Sequence, residues 1–534
     1  MNATTQCNGQ QHIASRDKDL LPAVLGLWQD ILPAGSAALQ ADTHFFLAGG
    51  DSLHLARLLQ RIRQHFGLTL HLHEAALFST PEKMSALCQR RLAERKVVRP
   101  PAGLVSCRSE RYPASGMQQG LWFETQFAGS SGLYNAAVAL HLTGRLDVQR
   151  LQHALNLLIM QHPVLRSRFI LSAGKGGLEV SIAPVTGLVL PLTPLVAGQL
   201  DEVLAGAASL PFDLAQQDPY RLHLYRLDSN EHVLLVCLHH CVTDGWSGNV
   251  LLHNLASIWN ALCDEPGWTP PAIDIGQAAY CHAEARGWQQ GAHLEALAWW
   301  QRQAVEINLC DDWLAHVACT GRPFRLATES LLLRTASLQR EEHSAASGAV
   351  TSCTRLLTAF RLALLELTGS ANCLIGMPVS CRQGVPSGET NLEQSAGCFV
   401  NLVLSHDCVS QAEPPHRLLQ RLHRRHLRIL SHAGVPFAEV AKAIGLNPRA
   451  SGNTGFDILF AFQNSPARMV AFSGLAHTVR QIPPQYGQFP LALSVSAATG
   501  GYQCTLDYAA DICSSAWARR LLGTCQKKYR WLCE

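Results

Sequence analysis

Two short runs in this 534-residue chain bring reactive side-chain types close together. In HHCVTDG, residues 239–245, two imidazoles, a thiol and a carboxylate stand within seven positions. Imidazole titrates near neutrality, so a neutral His can act as a general base or hydrogen-bond a reacting group into place. The preceding EHVLLVCL is a continuous apolar run of the kind that forms a buried strand. Alternation along such a strand sends His239 and His240 to opposite faces, one toward chemistry and one toward packing. Taken alone, the pair reads equally well as a hydrogen-bonded structural feature. In AGGDSL, two glycines permit tight backbone geometry before Ser52, whose hydroxyl is free at a helix start to carry a bulky group. Serine is also a common helix cap, so Gly50, Asp51, Ser52 and Leu53 by themselves point no further.

The elements around these runs are legible. Leu21, Val24, Leu25, Trp28 and Leu32 recur at helical spacing, and Leu55, Leu59, Ile62 and Phe66 form a second stripe that Gly67 is placed to end. Ser79, Thr80 and Pro81 then open a third helix. The expected division is a disordered segment over 1–17, a helical bundle over 18–95 and a Pro-containing linker over 96–110. Beyond it, helical patterns such as DVQRLQHALNLLIMQH alternate with short apolar runs such as CLIGMPVS, which predicts mixed α/β structure.

Composition narrows the field. With 47% hydrophobic and 16% charged residues the chain can bury sizeable cores, and a net charge of +3 offers no field for nucleic acid or an acidic membrane. No apolar run has the length of a membrane span and the polar N-terminus lacks a signal-peptide core, so the expected location is cytoplasmic. The 18 cysteines include no CxxC pair, which argues against a structural zinc site, and His71 and His73 lack a third ligand at a convincing spacing. The arginine-rich run 416–430 keeps Leu418, Leu422 and Ile429 as a buried stripe, so its charges are read as a solvated helix face.

With these elements in place, FFLAGGDSLHLARLL between two helices resembles the peptidyl carrier domain of nonribosomal peptide synthetases, whose attachment motif is Gly-Gly-Asp/His-Ser-Leu. The resemblance implies that Ser52 carries covalent phosphopantetheine, with Gly50, Asp51 and Leu53 completing the motif, and that a phosphopantetheinyl transferase installs it. Residues 1–95 contain nine Lys and Arg against eight Asp and Glu, whereas carriers are usually acidic. HHCVTDG likewise matches the HHxxxDG motif of condensation domains, relatives of chloramphenicol acetyltransferase. Family segments recur in order from YPASGMQQGLWF and QHPVLRSRF through IGMPVSCR and GCFVNLVLS to GFDILFAFQN and QFPLALSVSA. Departures at Gly120, Pro163, Ala433 and Gly434 leave the histidine motif untouched. The implied fold is a helical carrier bundle followed by an α/β condensation domain of two similar lobes in a V, 111–275 and 276–534, with His240 midway along a tunnel.

The resemblance implies amide formation between a donor thioester on Ser52 and an acceptor amine. His240 is then expected to accept the amine proton or orient the nitrogen, with His239 beside it and the Gly245 N–H helping the oxyanion. Asp244 is assigned a structural pairing with Arg382. Cys241 occupies an aliphatic packing position, and its alkylation is expected to block activity by bulk. Neither a cyclization-type replacement of the histidines nor an epimerase-type EGHGRE segment is present. An adenylation domain elsewhere would load Ser52, and the acceptor would arrive on another carrier protein or as a small soluble amine. The competing class is a noncatalytic module that recruits a partner enzyme to the carrier.

Overall fold

The computed structural model describes residues 20–32, 39–45, 48, 50, 52–68, 70, 75, 78–93, 110–127, 132–172, 177–270, 272–314, 323–334, 350–382, 391–446, 455–463 and 471–534. The expected N-terminal segment 1–17, nearly all of the linker, Asp51, His71 and His73 lie outside them. The chain divides into two compact units, residues 1–100 and 101–534.

In the first unit, helices α1 (Leu21–Ile31), α2 (Ser52–Phe66) and α3 (Pro81–Ala93) share a core. Val24, Trp28, Leu55, Leu58, Ile62 and Met84 are fully buried in it, so Leu58 takes the place that the sequence stripe gave to Leu59. Gly67 stops α2 at φ 65°, and the Thr80 hydroxyl accepts from the Lys83 N–H at the head of α3.

The second unit has two cores. Its elements are β1 (Arg111–Pro113), α4 (Gly116–Phe127), β2 (Asn135–Thr143), α5 (Val148–Gln161), β3 (Ser167–Leu171), β4 (Leu178–Ile182), β5 (Leu192–Pro194), α6 (Leu200–Ser209), β6 (Tyr220–Asp228), β7 (Glu231–His239), α7 (Gly245–Asp264), α8 (Gly276–Gln289) and α9 (Leu294–Asn308). They continue with β8 (Phe324–Arg334), α10 (Ser352–Thr368), β9 (Ile375–Ser380), β10 (Val400–Ser405), α11 (Pro415–Ser431), α12 (Phe437–Ala443), β11 (Ile458–Gln463), β12 (Ala476–Gln481), β13 (Tyr486–Gly487), β14 (Leu491–Ala498), β15 (Gly501–Ala509) and α13 (Ser515–Cys533).

One sheet runs β12-β2-β7-β6-β5 and a larger one β10-β9-β11-β14-β15-β8-β13, with a small β1-β4-β3 sheet beside the first. Strand β7 lies between β2 and β6 and is buried on both faces, which is why it reads as an unbroken apolar run. Strands of the larger sheet alternate instead: Cys504, Leu506 and Tyr508 of β15 enter the core with α10 and α13, while Gln503, Thr505 and Asp507 point the other way.

The lobe boundary expected at 275/276 needs correction. Tyr280, Cys281, Leu392, Phe399, Phe472 and Ile482 all belong to the N-terminal core. The reason is topological: β12, from the far end of the chain, pairs antiparallel with β2 and completes the first sheet. Among the described residues no helix is long and apolar enough to cross a membrane.

Candidate active site

Strand β7 ends at His239, and His240 opens a 3-10 turn, His240–Val242, that leads into α7. Turn and strand end together, more than strand alternation alone, send the two rings into different surroundings. The His240 N–H donates to the Tyr134 carbonyl at 2.9 Å, holding the turn against the residue before β2.

The His240 ring lies with Nδ1 3.2 Å from the Thr243 carbonyl. A carbonyl only accepts, so Nδ1 carries the proton and Nε2 keeps its lone pair. Burial lowers the His240 pKa, opposed by the Thr243 carbonyl and the Asp244 charge, and the imidazole is neutral at pH 7. His239 has the opposite tautomer: its Nδ1 accepts the Cys241 N–H at 3.1 Å, so the proton sits on Nε2, 3.2 Å from Thr125 Oγ1. That hydroxyl passes its own hydrogen to the Leu121 carbonyl at 2.7 Å. Only 1% exposed, with its pKa pushed down to about 3 by burial and by His240, His239 has both nitrogens committed.

Asp244 caps α7 through the Ser247 N–H at 2.7 Å. Arg382 Nη2 donates to its Oδ1 at 2.8 Å and Oδ2 at 3.0 Å, and to Ser247 Oγ at 2.8 Å. The Arg382 Nη1 donates to the Leu392 and Ser395 carbonyls, and its guanidinium lies 4.3 Å from the Phe399 ring centroid. Phe399 N–H donates to Asp244 Oδ2 at 3.1 Å, so this charge pair ties the head of α7 to the residues before β10. Cys241 is 0% exposed, and burial pushes its thiol pKa up. The expectation that alkylation would reach it is therefore corrected: the sulfur sits in the core rather than on the cavity wall.

His240, Thr243, Asp244 and Gly245 line a cavity of about 550 Å³. Gly245, the first residue of α7, has open space where a Cβ would project. One wall is apolar, built from Ala136 and Val138 of β2, Leu155, Leu158 and Ile159 of α5, Leu238 of β7 and Leu252 and Leu255 of α7. The facing wall is polar, with Thr328 of β8, Ser494 and Ser496 of β14, and Gln503, Thr505 and Asp507 of β15. Sequence reasoning passed over this wall, although the alternation in GYQCTLDYA marks its residues as a second, polar face.

In the first unit, α2 begins at Ser52. A Cβ on Gly50 would stand 2.5 Å from the Phe45 ring, which itself packs edge-on against Trp28 at 4.9 Å, so only glycine fits the turn into α2. The N-terminal, positive end of the α2 dipole lies at residue 52 and suits a phosphodiester there. The side chains of Ser52 and Leu53 lie outside the described residues. Arginines 421, 424, 425 and 428 ride on α11, whose buried side is formed by Leu418, Leu419, Leu422, Leu427 and Ile429.

Residues 108–527 match the Condensation domain family, and residues 22–88 match the Phosphopantetheine attachment site family. The chain is 29% identical over 522 residues to the dimodular nonribosomal peptide synthase of Bacillus subtilis strain 168, covering 94% of this chain and 21% of that protein. It is 25% identical over 500 residues to surfactin synthase subunit 1 of the same organism, covering 94% and 13%. The chain spans between 6% and 21% of the length of the curated relatives it matches. The X-domain from teicoplanin biosynthesis superposes with a TM-score of 0.66 at 22% identity, covering 80% of this chain and 97% of that one. For the first condensation domain of the CDA synthetase the values are 0.63, 18%, 79% and 96%. At such identities the likeness is one of fold. With its match to the condensation family spanning most of its length behind a phosphopantetheine attachment domain, the chain belongs to the condensation domains of nonribosomal peptide synthetases.

Proposed function

We propose that the chain transfers an acyl or peptidyl group from a thioester on Ser52 to an acceptor amine, forming an amide bond. Phosphopantetheine, which Ser52 would carry, would supply the thiol that holds the acyl group as a thioester and is released, with the proton given up by the amine, when the C–N bond replaces the C–S bond. His240 Nε2 accepts the proton of the attacking amine or hydrogen-bonds the nitrogen to aim its lone pair. The Gly245 N–H, in the first turn of α7, stabilises the charge that develops on the carbonyl oxygen. His239, Asp244 and Arg382 act as supports for the turn that carries His240. The observation that supports this most is the tautomer: a neutral imidazole on a cavity wall whose Nδ1–H is held by Thr243, leaving Nε2 as a base.

Intact-mass spectrometry of the loaded chain under single turnover tests the proposal. His240→Ala should slow transfer by roughly a hundredfold or more; transfer at the wild-type rate sinks the assignment. Partners proposed on this reading are an adenylation domain that loads Ser52, a phosphopantetheinyl transferase, and an acceptor carrier protein or small amine.

A second reading, a noncatalytic recruiter of a partner enzyme, rests on the fold likeness to an X-domain solved in complex with OxyB, with a TM-score of 0.65 at 22% identity. An intact HHCVTDG with a base-competent tautomer favours the enzyme. Persistent loading of Ser52 in the presence of every acceptor, combined with tight partner binding, would favour the recruiter.

A further inference from the structure

The cavity beside His240 holds two carboxylates in unlike situations. Asp244 is neutralised by Arg382. Asp507, on β15, has no such cation: its Oδ1 accepts from Thr328 Oγ1 at 2.6 Å, and among the described residues no lysine, arginine or histidine is paired with it. Among the described residues, no Lys or Arg lines the cavity. Burial raises the Asp507 pKa, with only the Thr328 hydroxyl working against it. A carboxylate withdrawn from water without a counter-charge is unfavourable unless something supplies the charge. Thr505, Gln503 and Ser494, which line the same cavity, are uncharged.

We propose that Asp507 is a specificity-determining residue that binds a cationic group of the substrate, an ammonium other than the nitrogen that is acylated. The reacting nitrogen is excluded because a carboxylate holding it as an ammonium would keep its lone pair protonated. Thr328 orients the carboxylate, and the apolar wall opposite takes the aliphatic portion that bears the cation. A basic side chain on the donor and a second amino group on the acceptor offer the same chemistry. The inference rests on the reading of this cavity as the acyl-transfer site.

Isothermal titration of the full chain with hexylamine and with 1-hexanol, which replaces the ammonium by a hydroxyl, measures the preference directly. Wild type should bind hexylamine roughly tenfold or more tightly than the alcohol. Asp507→Asn should bring the ratio toward one, while Asp507→Glu should retain a preference. Equal affinities in the wild type, or a ratio unchanged by Asp507→Asn in a variant that still melts cooperatively, overturn the proposal. Should Asp507→Asn not fold, Thr328→Val serves the same comparison, and it too must lower the ratio.

Single-turnover transfer separates the two sources. One arm compares 1,5-diaminopentane with 5-amino-1-pentanol as acceptor, the other a lysyl with a 6-hydroxynorleucyl donor on Ser52. The pair whose kcat/KM ratio collapses in Asp507→Asn identifies the substrate that carries the cation, and a ratio insensitive to Asp507 in both arms overturns the inference. Absence of transfer from every wild-type combination would instead sink the condensation reading, and the titration ratio would still decide the role of Asp507.

Discussion

At the scale of single residues, the two adjacent imidazoles differ in where the proton sits. His239 has each nitrogen occupied, whereas His240 gives its Nδ1–H to Thr243 and leaves Nε2 unprotonated. The active form of His240 is the neutral one, and burial lowers its pKa. The single-turnover rate should therefore rise with pH along a limb whose midpoint lies below 6.5, the ordinary histidine value. A midpoint above it would contradict the assignment. Arg382 is buried and only 10% of the Asp244 side chain is exposed, so Arg382→Ala leaves a largely desolvated carboxylate unpaired and should destabilise the second unit by about 3–5 kcal/mol, read from urea unfolding. A melting profile like that of the wild type would remove the support role. The resemblance of HHCVTDG named His240 and the Asp244–Arg382 pair from the sequence. Asp507 was not legible in the same way, because one carboxylate in an alternating strand looks like any solvated face until the opposite lobe closes over it.

At the scale of elements, two glycines at helix starts predict opposite behaviour. Gly50→Ala drives a methyl into Phe45 and should destabilise the N-terminal unit by about 1–3 kcal/mol, seen as a lower melting temperature of that unit. Gly245→Ala meets nothing within 4 Å, so stability should hold within about 0.5 kcal/mol while the methyl enters the cavity and slows transfer. Equal loss of stability in both would refute the steric account. Helix existence was readable from periodicity, since α2, α3 and α11 each bury one face of a polar sequence. Which leucine sits innermost was not: Leu55, Leu58 and Ile62 satisfy helical spacing as well as Leu55, Leu59 and Ile62, and the position of α1 decides between them. The lobe boundary escaped for the same reason, because pairing between β12 and β2 is a long-range choice with no local signal.

At the scale of the whole molecule, buried histidines make stability pH-dependent. His406 and His426 have pKa values lowered to about 4 by burial, and His239 to about 3. Above the ordinary value of 6.5 folded and unfolded chains are alike neutral at these sites, so nothing is lost there. As the pH falls through 6.5 toward 4, the unfolded chain takes up protons that the folded one refuses, and stability declines. The urea midpoint should be lower at pH 5 than at pH 7; an unchanged midpoint would mean that these rings are protonated or exposed in the folded protein. The strand Ala476–Gln481 has a further consequence. Until the ribosome has added residue 481, the sheet behind His240 stays one strand short, with the edge of β2 bare and the cavity wall at Val479 and Gln481 missing. Transplanting only the segment up to residue 275 between synthetases would export that same bare edge, so a graft of this lobe must bring its late strand with it.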